Sequence, residues 1–281
     1  MIMFTFCVDI SRYSQEDLTR VANILIRSLN QSKTNLKRFI VFSNFDLQIN
    51  NCPDYVEIRP FKQLISEIYE SDKWMNLSLN KLPYYENLMK EFDEAPIWID
   101  LDTLVCCDIT HLSEFENFFI QIGTKDNKLM SILGDSADFM VRRNEYLQGN
   151  IFKLNNEILE ATYTYVNQFK DSIIYDHQGA FNLVYHFSKN HSGMQILGKD
   201  IDLDSINSFR AWNVEVGEHP NGTNADNLWL DQDGRIHSKL HPNKRLQFIS
   251  FTFRTILKFL EMEPTSNPLA NYLHSFDVRN S

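Results

Sequence analysis

Along the first third of the chain, short apolar runs bounded by polar or turn residues alternate with stretches of helical period. Residues 3–8 (MFTFCV), 39–42 (FIVF) and 55–58 (YVEI) are such runs, closed by Asp9, Asn44 and Pro60. Between the first two, Leu18, Val21, Ala22, Leu25 and Leu29 recur on one side of a helix over 16–29. A second helix is expected over 61–69. A third is expected over 79–92, where Leu82, Tyr85, Leu88, Met89 and Phe92 share a face and Pro83 sits near the first turn, where a helix tolerates it. It hands the chain to another apolar run at 97–99. Strands alternating with helices in this way predict βαβ units and an α/β class.

Further on, the pattern predicts strands at 129–133, 150–154 and 194–197 and helices at 156–169 and 178–187; the stretch 217–234, with HPNGTNADN and DQDG, reads as loop. Near the end, Leu246, Ile249, Phe253, Leu257 and Leu260 fall on one helical face, with Lys244, Arg245, Arg254 and Lys258 near its edges. A core helix packed on the sheet is the preferred reading, and an amphipathic helix over 244–262 resting on an anionic membrane surface is the alternative. No internal repeat or linker-like segment divides the 281 residues, so one domain over 1–281 is expected.

Composition narrows the function classes. With 43% hydrophobic residues the chain packs a core, and 27 basic against 37 acidic residues give a net charge of −10, which disfavours nucleic acid as a partner. The cysteines, Cys7, Cys52, Cys106 and Cys107, have no CxxC spacing and read as reduced thiols. The first residues lack the basic region of a signal peptide, and no stretch approaches the roughly twenty apolar residues of a membrane span, so a cytoplasmic protein is expected.

Residues 96–110, PIWIDLDTLVCCDIT, pose the chemical question. If the segment stays extended, Asp100 and Asp102 point the same way, because strand residues i and i+2 share a face. Two neighbouring carboxylates repel unless a cation neutralises them or one is protonated. At the carboxyl end of a parallel strand they would face the crevice where α/β proteins bind ligands, and a hard divalent ion, Mg²⁺ or Mn²⁺, suits such oxygens. A pair of strand-end capping aspartates is the bland alternative.

The run of apolar strand, D-x-D, Thr103, an apolar pair and then Asp108-Ile109 resembles the D-x-D region of GT-A fold glycosyltransferases, most like the family 8 type. YLQGNIFKLN (146–155) is similar to that family's acceptor-side segment, and YDHQGAFN (175–182) to its D-Q-x-x-x-N helix start. The resemblance implies a Rossmann-like, mostly parallel sheet with flanking helices, a nucleotide-binding half over 1–110, an acceptor and metal-completing half over 111–245, and a C-terminal segment over 246–281. It implies transfer of a hexosyl group from a nucleotide sugar, UDP-glucose or UDP-galactose, to a saccharide or lipid-linked saccharide in bacterial surface-glycan synthesis, with Mn²⁺ or Mg²⁺ as cofactor.

On the same resemblance, Asp100 contacts the ribose or the metal and Asp102 holds the metal. Gln148, Gly149, Asn150, Asp176 and Gln178 surround the sugar and acceptor, and Asp9, Ser11, Arg12 and Lys81 face the nucleotide. The family's late H-x-x-G-x-x-K finds no exact match, since RIHSKLHPNKRL (235–246) lacks the glycine. His237 is the first choice as third metal ligand, His241 the second, and Lys244 the contact to the diphosphate. Retention of configuration is preferred; an inverting enzyme would need Asp176 or Asp135 as base. Two rivals stay open: a Mg²⁺-dependent phosphatase of the haloacid dehalogenase kind, whose D-x-D normally lies on the first strand, and a non-catalytic nucleotide- or glycan-binding protein.

Overall fold

A computed structural model describes residues 1–65, 73–122, 146–169, 177–187, 193–197, 205–210, 228–238 and 245–277. The chain starts with β1 (Ile2–Cys7), α1 (Gln15–Ser32), β2 (Arg38–Ser43) and β3 (Val56–Pro60), then α2 (Lys73–Leu79), α3 (Lys81–Phe92) and β4 (Ile97–Ile99). These strands, with β6 (Phe118–Ile122) and β7 (Tyr146–Lys153), make a sheet of order β3-β2-β1-β4-β7-β6. The β3-β2-β1-β4 part is parallel, while β7 runs antiparallel to both β4 and β6.

The unbroken apolar runs foreseen for a doubly covered sheet serve both of its faces. Along β1, Met3 and Cys7 join Leu18, Val21 and Leu25 of α1 in one core cluster. Ile2, Phe4 and Phe6 join Leu82, Tyr85 and Trp98 in another. Helix α1 begins where Ser14 accepts a hydrogen bond from Asp17 N, and ends at Lys33 in the left-handed conformation (φ 60°).

A second sheet has the order β5-β11-β10-β9, with β8 (Ser205–Arg210) paired to β11: β5 is Thr103–Val105, β9 Leu228–Leu230, β10 Ile236–Ser238 and β11 Arg245–Ser250. Helices α4 (Asn156–Phe169) and α5 (His177–Phe187) follow β7, and α6 (Phe253–Glu261) and α7 (Pro268–His274) close the described chain.

Five expectations need correction. The continuous helix over 244–262 is instead β11 followed by α6. Leu246, Phe248 and Ile249 are buried in the second sheet, and Thr252 caps α6 by accepting from Thr255 N, so the helix starts only there. An amphipathic membrane-surface helix over 244–262 thereby loses its basis. Residues 61–65 are not helical, and 66–69 lie outside the described residues. The stretch 217–234 contains β9 in its described part, and 194–197 makes a single bridge, Ile196 to Phe119. Finally, Asp100 to Asp102 is a turn rather than extended strand. Asp100 N donates to Asn150 O of the first sheet (2.7 Å), and Phe251 N donates to Asp102 O (2.9 Å) beside the second. The turn stitches the two sheets together. The strand expected at 129–133 lies outside the described residues.

Candidate functional site

In the parallel part of the sheet, β1 leads to β2 on one side and pairs with β4 on the other, and a crevice opens beyond the carboxyl ends of β1 and β4. A cavity of about 350 Å³ lies there. Arg12 lines it from the loop after β1, Lys81 from α3, Asp100 and Asp102 from the turn, Gln148, Gly149 and Asn150 from β7, and Gln178 from α5. One cavity therefore gathers residues that the sequence places far apart. Phe6, Val8, Leu18 and Trp98 give it an apolar wall, and Ser250, Phe251, Thr252 and Phe253, from the end of β11 to the start of α6, close it.

The carboxylate of Asp100 is already partnered. Lys81 Nζ donates to Asp100 Oδ1 at 2.8 Å and Trp98 Nε1 donates to the same oxygen at 2.9 Å. The Lys81 ammonium also sits 4.4 Å from the Trp98 ring centre, a cation–π contact. Lys81 can occupy a position that leaves it only 8% exposed because this carboxylate and this ring face it.

On β7, Gln148 and Asn150 share a face and are 1% and 8% exposed. Gln148 Oε1 and both polar atoms of the Asn150 amide have no hydrogen-bond partner among the described residues. A buried polar atom left unpaired costs about 1–3 kcal/mol, and both residues line the cavity. Between them, Gly149 N donates to Gln178 Oε1 at 2.9 Å. Asn182, one turn further along α5, donates to Leu147 O (3.0 Å) and accepts from Leu147 N (2.9 Å), fixing α5 to the strand.

His177 is a cavity residue that the sequence reading passed over. It is buried, and burial first, then the neighbouring Lys81 charge, hold its imidazole well below the usual histidine range. The signal was present: Gln178 and Asn182 keep the spacing of D-Q-x-x-x-N, but a histidine stands between Asp176 and Gln178.

Hydrogen bonds around Asp9 anchor the loop after β1. Asp9 accepts from Ser11 N (2.7 Å) and Gln15 Nε2 (3.0 Å), and its own N donates to Asn44 Oδ1 (2.8 Å). The Gln15 bond, then the Ser11 bond, lower the Asp9 pKa below the usual carboxylate value. Asp9 and Ser11 line an adjoining pocket of about 260 Å³ with Asn44, Phe61 and Asn80. Val8, Ile10 and Leu77 border both cavities.

His237 is placed elsewhere. It lies in β10, stacks on Trp229 (4.6 Å between ring centres) and meets Asp231 Oδ2 at 3.0 Å, and it is not among the residues lining the main cavity. Asp176, His241 and Lys244 lie outside the described residues, as does Asp135. Among the described residues no group of three His, Cys, Asp or Glu side chains could hold a metal ion. A hard divalent ion bound together with phosphates, however, needs only one or two protein carboxylates, the rest of its shell being phosphate oxygens and water. Asp100 and Asp102 bring two carboxylates to the cavity, with Asp100 Oδ1 bonded to Lys81 and Trp98.

No protein-family model and no curated protein matches the sequence. Among solved structures, the galactosyltransferase LgtC in complex with donor and acceptor sugar analogs is similar over 98% of this chain and 94% of its own, with TM-score 0.50 and 12% identity. The apo structure of the bifunctional glycosyltransferase WbbM is similar over 98% of this chain and 51% of its own, with TM-score 0.50 and 13% identity. At these identities the likeness is one of fold: this chain has an α/β fold that resembles the GT-A scaffold.

Proposed function

We propose that this protein is a glycosyltransferase that moves a hexosyl group from a nucleotide sugar, UDP-glucose or UDP-galactose, to a hydroxyl of a saccharide acceptor. The observation that carries the reading is the cavity at the strand ends, where the Asp100-Asp102 turn, a buried lysine and the unpartnered amides of β7 converge. Likeness in fold to two glycosyltransferases supports it.

In this reading the amides of Gln148 and Asn150, each both donor and acceptor, pair with sugar hydroxyls. Lys81 and Arg12 bring positive charge to the cavity in which a nucleoside diphosphate would leave, stabilising the charge that develops there. The pocket beside Asp9 and Asn44 takes the base and ribose. Asp100 and Asp102 would hold Mn²⁺ or Mg²⁺, which when bound supplies counter-charge to a diphosphate. A single glycosyltransferase unit over 1–281, acting in the cytoplasm in surface-glycan synthesis, belongs to the same proposal. Among the described residues, no helix is long and apolar enough to cross a membrane. The phosphatase reading finds less support, because the D-x-D follows β4 rather than the first strand and runs on into a second sheet.

Release of UDP from UDP-glucose and UDP-galactose, with and without saccharide acceptors, tests the proposal. Acceptor-dependent release that falls about a hundredfold or more in Asp102→Ala is expected. Release of inorganic phosphate from phosphomonoesters, with no turnover of either nucleotide sugar, would contradict it.

A further inference from the structure

The cavity wall contains a contact that the proposed reaction does not use. His177 opens α5 at 2% exposure. Its Nε2 lies 3.1 Å from the Gly149 carbonyl oxygen and 3.5 Å from Lys81 Nζ, and its Nδ1 lies 3.1 Å from Ser78 Oγ. A Cβ on residue 149 would lie 2.3 Å from Nε2, so the ring closes on the strand only because residue 149 is glycine.

Neighbouring contacts complete a circuit. Asn150 O accepts from Asp100 N, Asp100 Oδ1 accepts from Lys81, and Lys81 abuts the imidazole that touches Gly149. The ammonium is thus confined between the Trp98 face, the Asp100 carboxylate and the His177 ring. Four elements, α3, the D-x-D turn, β7 and α5, are linked through the Lys81–His177 pair.

We infer that His177 is a positioning residue, whose ring holds Lys81 against Asp100 and keeps the Gly149–Asn150 backbone facing the cavity, and that Gly149 is present to admit that ring. The inference deepens the reading of the cavity as the ligand site and rests on it, but its first test needs no ligand.

Site-resolved acetylation of Lys81 is measured by mass spectrometry, with Lys37 and Lys90, whose side chains are 68% and 69% exposed, as references in the same protein. In His177→Ala the labelling of Lys81 is expected to rise about fivefold or more as the confined ammonium gains freedom. His177→Gln, which can still donate to the Gly149 carbonyl, stays near wild type. Gly149→Ala lowers the melting temperature in the wild-type background but not in His177→Ala, while Lys81 labelling in the double variant stays high. Should His177→Ala fail to fold, Gly149→Ala displaces the same ring from the other side and is expected to raise Lys81 labelling too.

Lys81 labelling that is unchanged in His177→Ala and Gly149→Ala, or that rises no more than labelling of the buried Lys153, overturns the inference. The binding arm uses UDP: affinity falls about tenfold in His177→Ala and recovers in His177→Gln, as expected when a charged contact is misplaced. A wild-type protein that binds no nucleoside diphosphate defeats the functional reading, while the labelling result still decides the role of His177.

Discussion

Asn150 carries a cost in the free protein that a ligand would repay. Its amide is buried and unpartnered, so Asn150→Ala removes an unmet polar group, and the folded state is expected to hold its stability or gain about 1 kcal/mol. Turnover of the nucleotide sugar falls in the same variant. Chemical denaturation and a UDP-release assay on one preparation check both halves; stability lost together with activity would mean that the amide serves the fold. His177 makes a second prediction. Its folded-state pKa is depressed, so as pH falls below about 6.5 the unfolded chain takes up the proton first. Stability therefore declines as pH drops through that value, until the folded imidazole also protonates. Urea unfolding between pH 8 and 5 is expected to show this limb in the wild type and a flatter one in His177→Gln.

Among the elements, β1, α1, β2, β4 and the helices α3 to α5 stood out in the sequence because an apolar run or a helical face is a local property. Strand β11 did not. Leu246 and Ile249 fit a helical face when read with Phe253, Leu257 and Leu260, and only pairing with β5, β8 and β10 makes the segment a strand. The usable local signal was Thr252, an N-cap preceding the true helix. Thr252→Ala is expected to destabilise the protein by about 1 kcal/mol and Thr252→Ser by much less, as thermal denaturation would show. Strand β6 also has no strong local signal, since its strand partner is β7, further along the chain.

Across the whole molecule, the carboxylate turn and the β7 amides were readable as candidates, but their convergence depends on sheet order, which no local pattern encodes. The contacts of His177 and the Lys81 pairing with Asp100 appear only once α3 and α5 are packed. His237, a candidate ligand on the resemblance, meets Asp231 and Trp229 and does not line the main cavity. The C-terminal segment is tied back to the first helix by the Arg20 ion pair with the buried Asp277 and by Arg20 Nη2 donating to Leu260 O (3.3 Å). Arg20→Ala removes this charged contact and is expected to cost about 1–3 kcal/mol in denaturant unfolding. That long-range tie holds α6, and with it the Phe253 wall, against the cavity.

The central claim is that the Asp100-Asp102 turn and Lys81 face a nucleoside diphosphate. Titration calorimetry of UDP into the protein with Mn²⁺ present, repeated with Asp102→Ala and Lys81→Ala, tests it most directly. Saturable binding in the wild type that weakens about tenfold or more in each variant is the predicted result. Wild-type binding left untouched by both substitutions, or no binding of UDP at all, would contradict it.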